Sequence, residues 1–240
     1  MKKPVITIVQ RYGRDMNIYG DDGNLLVLKK RLEWKGACVN VVVYNPGDVF
    51  PRSADIVIGG GGQDSGQDNI QQDLLKIGDH LKRLAERGVP MLMVCGLYQL
   101  FGHSFKTSDG HVIKGIGLLD VKTVAGPERL IGNIVTESKQ FGTIIGYENH
   151  SGQTFLGKDV QPLAEVRVGA GNNLRDVSEG ARYKHVIGTY LHGSLLPKNP
   201  AIADYLIETA FDNKGILVKP KEIDDSFAVL ARAAAAKRPR

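Results

Sequence analysis

Met91-Leu92-Met93-Val94-Cys95-Gly96-Leu97-Tyr98-Gln99 is an apolar strand pattern that runs straight into a cysteine, a glycine and the start of a helical pattern. A strand that feeds a helix through one tight turn belongs to a parallel α/β sheet, and it presents the turn residue at the carboxyl edge of that sheet. Reading outward, Val5 to Val9 is a β-branched run suited to a buried strand, and Asn24 to Trp34 carries apolar residues at helical spacing up to Gly36. Cys38 to Tyr44 reads as a second strand and Asp55 to Ile58 as a third, each closed by turn residues, Asn45-Pro46-Gly47 and Gly59 to Gly62. Ile70 to Arg87 then sets Ile70, Leu74, Leu75, Ile77, Leu81 and Leu84 on one helical stripe and stops at Gly88. With Val89 to Val94 as the fourth strand, the first hundred residues predict an α/β fold: a parallel sheet, helices on both faces, and ligands at the carboxyl ends of the strands.

Beyond Gly115 the texture changes to short β-rich runs, Leu118 to Val124, Leu130 to Thr136, Gly142 to Tyr147, Ala164 to Val168 and His185 to Leu191, read as antiparallel or mixed. Two helical patterns follow, Asn199 to Phe211 and Pro220 to Ala236. With no Pro/Ser-rich linker and no internal repeat, residues 1–212 read as one domain with a β-rich second half, and residues 213–240 as a helical extension with a basic tail.

Composition sets the outer limits. A chain of 240 residues can bury about 70% of its unfolded surface, enough for a core without disulfide or metal staples. Charged residues at 24% and hydrophobic residues at 42% exclude a wholly disordered chain or a coiled coil. The 29 glycines fall in clusters without a three-residue period and mark turns and close backbone approaches. Arg11 interrupts the first apolar run before a signal-peptide core forms, and Val89 to Phe101 is too short to span a bilayer, so a cytoplasmic chain is expected. Two cysteines argue for a reducing compartment. The net charge of +5 would suit an anionic partner or a membrane surface, but part of it is Lys237-Arg238-Pro239-Arg240, which reads as a frayed helix end.

The chemistry collects at one sheet edge. Cys95 sits where elbow hydrolases carry serine, and a helix N-terminus behind it favours a thiolate. Cys38, inside a strand alternation, reads as a buried structural cysteine. Gln99 lies four residues after Cys95, on the same helical face and within reach of a bound substrate. Gly59-Gly60-Gly61-Gly62 follows the third strand but lacks both phosphate-loop and dinucleotide spacing, which leaves backbone approach as its use. Gly61 and Gly96 are therefore the candidate oxyanion-hole donors. His192 ends the run His185 to Gly193, so a strand delivers to the same edge an imidazole able to take a thiol proton and return it to a leaving group.

Four ordered motifs, Gly59-Gly60-Gly61-Gly62-Gln63-Asp64, Val94-Cys95-Gly96-x-x-Gln99, Gly146-Tyr147-Glu148-Asn149-His150-Ser151-Gly152 and Gly188-Thr189-Tyr190-Leu191-His192-Gly193, resemble the class I glutamine amidotransferases of the cobyric-acid-synthase-like branch. Within that branch the resemblance is strongest to the glutaminase subunits of lipid II isoglutaminyl synthases, and it extends to about Phe211. It implies a flavodoxin-like sheet. It also implies that Cys95 attacks the carboxamide of L-glutamine, that ammonia leaves with a proton from His192, and that water hydrolyses the glutamyl thioester. Arg129, in Gly126-Pro127-Glu128-Arg129-Leu130, matches the arginine that in such subunits contacts glutamine, and a guanidinium suits its free α-carboxylate. His150 is implied to shape the site. No metal or cofactor is implied in this chain. The resemblance implies that ATP and magnesium belong to a separate MurT-like Mur ligase, which would form a heterodimer with the subunit and amidate the D-glutamate of lipid II at the inner face of the plasma membrane.

One position departs from the resemblance. Most class I amidotransferases carry a glutamate two residues after the histidine, where this chain has Ser194, so an acid that orients His192 is expected from elsewhere, and the ligase partner is the expected source. Three other readings compete: the glutaminase of another cobyric-acid-synthase-like amidotransferase, a stand-alone PfpI-type cysteine hydrolase, and a regulatory subunit that keeps a glutamine pocket without turnover. The third and fourth motifs speak against the hydrolase, and the intact Cys95 and His192 against the regulator.

Overall fold

The computed structural model describes residues 3–192, 194–217 and 223–238. In chain order its elements are β1 (Val5–Arg11), α1 (Asp22–Trp34), β2 (Cys38–Tyr44), β3 (Ile56–Gly59), α2 (Asp64–Glu86), β4 (Met91–Val94) and α3 (Gly96–Phe101). There follow β5 (Ser104–Lys106), β6 (Val112–Lys114), β7 (Val121–Ser138), β8 (Gly142–Leu156), β9 (Ala164–Val168), β10 (Ser178–Glu179), β11 (Ala181–Tyr183) and β12 (Val186–Thr189). The described residues close with α4 (Leu195–Lys198), α5 (Pro200–Asn213) and α6 (Ser226–Ala236).

The first sheet has the order β11-β12-β4-β3-β1-β2 and is parallel except for β11. β3 and β4 lie at its centre with every residue buried, which is why both are short, purely apolar runs. The stripe of α2 closes over one face, with Ile70, Leu74, Leu81 and Leu84 buried. β3, β4 and β12 all point their carboxyl ends the same way, so the glycine run, Cys95 and His192 arrive at one edge. The second sheet is built on the hairpin of β7 and β8, paired from Val121↔Leu156 to Ser138↔Gly142, with β9, β10, β5 and β6 added. A bridge between Tyr147 of β8 and His192 joins the two sheets.

Several boundaries move from the sequence reading. β1 runs past Val9 to Arg11, which pairs with Tyr44 and Gly59 and whose buried guanidinium lies over the rings of Tyr12 and Phe101. The run Leu118 to Val124, from Val121 on, and the run Leu130 to Thr136 belong to one 18-residue strand, because Gly126-Pro127 lies in a register shift against β8 and not in a turn. β8 likewise continues past Tyr147 to Leu156, while β5 and β6 had no alternation long enough to announce them. Helix α2 begins six residues before Ile70, on its polar first turn. The last helix starts at Ser226 instead of Pro220, which lies outside the described residues, as do Pro239 and Arg240 of the basic tail. Cys38 is exposed and not a core residue, because β2 is the edge strand of the sheet. Helix α6 buries none of its own residues. It is tied down at its N-terminus by Arg31, which pairs with Asp225 and Asp204, each at 2.5 Å.

Candidate active site

Cys95 is the residue between β4 and α3, and its backbone sits at φ 50°, ψ −105°, a conformation that costs a side-chain-bearing residue strain. The strain is held in place by two backbone hydrogen bonds: Cys95 N–H donates to Thr189 O at 2.8 Å, and Gln99 N–H donates to Cys95 O at 3.0 Å. Cys95 lines a cleft of about 500 Å³ together with Tyr19, Gly62, Gln63, Gln99, Arg129, Asn149, His150 and Gly152.

His192 is fully buried behind that wall. Its backbone N–H donates to Tyr147 O at 2.7 Å, and the ring of Tyr19 lies 4.5 Å away at 58°. Gly61 separates the imidazole from the thiol: a Cβ there would stand 2.7 Å from His192 Cε1, 3.0 Å from Cys95 Cβ and 3.5 Å from Cys95 Sγ. A glycine is required at this position because the imidazole and the cysteine side chain close in from both sides. Neither ring nitrogen of His192 has a hydrogen-bond partner among the described residues. Burial, with His150 and Arg129 adding, pushes its pKa down to about 3, so the imidazole is neutral, with no acid among the described residues to raise its basicity. Ser194, held in the left-handed region at φ 49°, turns its hydroxyl away and donates to Gly20 O at 2.6 Å. Gly193 lies outside the described residues.

The Gly146 to Gly152 motif is the inner stretch of β8, and its alternation divides its duties. Glu148 points inward and accepts the N–H groups of Ala170 and Gly171, bracing the loop after β9. His150 also points inward, stacked on Tyr190 at 3.6 Å and donating Nδ1–H to Gly152 O at 2.7 Å. Burial holds it down to about 4, so it is a neutral ring that shapes the cleft. Asn149, on the other face, accepts Arg129 Nε–H at 2.6 Å. Arg129 thus stands at the cleft with its other nitrogen Nη2 donating to Tyr19 Oη at 2.9 Å.

Gln99 is at the cleft but committed: its Oε1 accepts from Gln67 at 2.7 Å and its Nε2 donates to Tyr190 Oη at 3.0 Å. Gln67 also donates to Gly96 O at 3.0 Å, so this network supports the elbow from below. Gly61 N–H donates to Asp21 Oδ2 at 2.8 Å, whereas the N of Gly62 lies 3.3 Å from where a Cβ on Gly96 would stand. Asp21 is buried beside Gly60 and Gly61, and that burial raises its pKa to about 6 against the Gly61 hydrogen bond. On the far side, Glu179 accepts Tyr190 N–H at 2.8 Å and Thr189 Oγ1–H at 2.9 Å, fixing the strand that ends in His192; burial, reinforced by Glu148, raises it to about 8.

Tyr19, Asp21, Gln67 and Glu179 were not singled out from sequence, and Asn149 entered only as a member of the Gly146 to Gly152 motif. The one signal for the first two was Tyr19-Gly20-Asp21-Asp22-Gly23, a turn-rich stretch between the first strand and first helix, at the sheet edge where ligands collect. Among the described residues no group of His, Cys, Asp or Glu is arranged to hold a metal ion, and no helix is long and apolar enough to cross a membrane.

The pattern of the CobB/CobQ-like glutamine amidotransferase domain matches residues 7–200. The chain is 43% identical to the GatD subunit of the glutamine-hydrolysing lipid II isoglutaminyl synthase of Staphylococcus aureus strain N315, over 95% of this chain and 93% of that one. To the subunit of the same name from Streptococcus pneumoniae strain R6 it is 38% identical, over 87% of this chain and 82% of that one. A solved glutamine amidotransferase shares the fold at a TM-score of 0.58 and 18% identity, covering 85% of this chain and 98% of that one.

Proposed function

The chain belongs to the CobB/CobQ-like glutamine amidotransferases, and from that premise we propose that it is the glutaminase subunit of a lipid II isoglutaminyl synthase. The observation that carries the chemistry is Gly61 standing between Cys95 and His192, with the thiol at the head of a strained elbow and the cleft opening beyond it. Glutamine lies in the cleft with its α-carboxylate on Arg129 and its carboxamide at Cys95. The sulfur attacks the amide carbon while its proton passes to His192, and the oxyanion is met by the backbone N–H of Gly96 and of a glycine in the run other than Gly61, whose N–H is already spent on Asp21. His192 returns the proton to the departing nitrogen, ammonia leaves, and a water deprotonated by His192 splits the thioester to glutamate and the starting thiol. The ammonia serves a MurT-like ligase that uses ATP and magnesium to activate the D-glutamate carboxylate of lipid II. Work at that lipid would bring the heterodimer to the inner face of the plasma membrane. The aspartate that fixes the tautomer of His192 comes from the ligase, in keeping with an imidazole that has no acid partner among the described residues.

The test is glutamine hydrolysis by the chain alone and in complex with its ligase subunit. Cys95→Ala should abolish turnover and Cys38→Ala should leave it nearly intact, and diazo-oxo-norleucine should add one mass, at Cys95. The ligase should raise kcat more than it lowers KM, and exchanging its aspartate for asparagine should remove most of that gain. Full activity from the isolated chain would refute the shared triad, and equal losses in both cysteine variants would refute the nucleophile.

A further inference from the structure

Tyr19 is in contact with both His192 and Arg129, and it uses different parts for each. Its ring covers the imidazole at 4.5 Å, and its hydroxyl oxygen accepts Arg129 Nη2–H at 2.9 Å. The imidazole under that ring has no hydrogen bond at either nitrogen among the described residues, so its orientation rests on contacts: Tyr19 on one side and the Gly61 backbone on another. The guanidinium is pinned along one edge, Nε to Asn149 and Nη2 to Tyr19. Five donors in a fixed fork leave the other edge, Nη1 and the second hydrogen of Nη2, for a carboxylate. The hydroxyl of Tyr19, which accepts from Nη2, keeps its own proton for an oxygen of that same carboxylate.

We propose that Tyr19 is a positioning residue that links glutamine capture to the catalytic base, its hydroxyl setting the Arg129 fork and its ring setting the His192 plane. The proposal rests on the reading of Arg129 as the carboxylate site. The loop that carries Tyr19 is anchored for such a task. Met16 N–H donates to Tyr12 O at 2.7 Å, Asp21 holds Gly61, Ser194 donates to Gly20 O, and Asn24 Oδ1 accepts Leu196 N–H at 2.9 Å. One short segment thereby touches the glycine run, the histidine loop and the substrate arginine.

Two variants separate the two parts in the full chain, assayed in complex with its ligase subunit. Tyr19→Phe keeps the ring and removes the hydroxyl. It should raise the KM for glutamine about five- to tenfold, the scale of one ordinary net hydrogen bond, with kcat falling less than twofold. Tyr19→Ala removes both parts and should in addition lower kcat about tenfold or more, so that phenylalanine rescues kcat but not KM. The second readout is alkylation of Cys95 by iodoacetamide in a Cys38→Ala background, needed because Cys38 is exposed. This reagent has no carboxylate and ignores Arg129, so its pH–rate profile reports the thiol and imidazole alone: Tyr19→Phe should match the parent and Tyr19→Ala should shift the profile. Arg129→Ala is the control. A raised KM there with an unchanged KM in Tyr19→Phe overturns the hydroxyl role while Arg129 stands. An unchanged KM in Arg129→Ala removes the carboxylate site and the hydroxyl role with it. A Tyr19→Ala chain with parental kcat and alkylation profile overturns the ring role.

Discussion

Gly61→Ala tests the site at its narrowest point. The backbone there lies outside the left-handed region, so alanine costs no torsional strain and only its methyl group matters. That methyl would stand 2.7 Å from His192 Cε1 and 3.0 Å from Cys95 Cβ. Cys95 Cβ is fixed by the elbow, whose N–H and C=O are both hydrogen-bonded, whereas the imidazole has no hydrogen bond among the described residues. The displacement therefore falls on His192, which must retreat by about 0.8 Å to recover an ordinary 3.5 Å contact. A misplacement of about 1 Å in a catalytic group costs about 100-fold in rate, so kcat should fall by roughly 50- to 100-fold. KM should change less than threefold, because the three atoms nearest the methyl belong to His192 and Cys95 and not to Arg129. Overpacking costs about 1–3 kcal/mol, and the lower end applies to a ring free to yield, or about 2–4 °C in Tm. The assay is ammonia release by the complex, beside thermal unfolding by circular dichroism. Gly13→Ala, whose new methyl would meet only Gln10 at 3.4 Å, serves as control. A Gly61→Ala enzyme with wild-type kcat would show that the thiol and the imidazole do not work across this glycine.

Glu179→Gln should change how stability depends on pH. Burial raises Glu179 from its ordinary 4.5 to about 8, so between those values the native chain holds a proton that the unfolded chain has released, and stability falls as pH rises through that window. Glutamine keeps the acceptor for Tyr190 and Thr189 but cannot ionise, so urea unfolding should favour the variant progressively from pH 5 to 8 and level off above; parallel wild-type and variant curves would contradict the buried proton. On the acid side the sign reverses: His150 at about 4 and His192 at about 3 stay neutral while the unfolded chain takes up protons, so stability should fall as pH drops below 6.5. Arg129→Lys should leave the KM for glutamine raised about tenfold, since an ammonium cannot serve Asn149, Tyr19 and a carboxylate through one planar fork; wild-type KM would count against the bidentate site. Asp225→Asn should loosen α6 from Arg31 and expose Arg232 and Lys237 to trypsin with little change in Tm, because α6 buries no residue of its own; a large fall in Tm would mean that the helix carries more of the fold than its exposure indicates.

The parallel half of the fold was legible because its signals are local. β3 and β4 are apolar runs closed by glycines, and the α2 stripe repeats at helical spacing over several turns. The second sheet was legible as β-rich but not in its lengths. Gly126-Pro127 reads as a turn in isolation, and only the partner strand β8, pairing on both sides of it, makes it an irregularity within one strand. Cys38 failed for a similar reason. The alternation of β2 says that one face is covered but not that the strand lies at the edge of the sheet, which depends on strand order.

In the site, what nine contiguous residues carry could be read: the elbow, its cysteine and the helix behind it. What surrounds His192 could not, because it meets Tyr19 from 173 positions earlier in the chain, Gly61 from the glycine run and Tyr147 from the other sheet. The sequence did mark one absence, the missing glutamate two residues after the histidine, and the structure supplies the physical content of that absence. Ser194 at that position is spent on Gly20, tying the histidine loop to the segment that bears Tyr19 and Asp21. Anchoring has replaced orientation: the imidazole is placed by backbone and ring contacts while its two nitrogens stay unpaired among the described residues and its basicity stays low. An imidazole in that condition is a poor base until a carboxylate reaches it. The same low basicity would keep the isolated subunit from wasting glutamine, and docking of an acid-bearing ligase would start hydrolysis where the ammonia can be used.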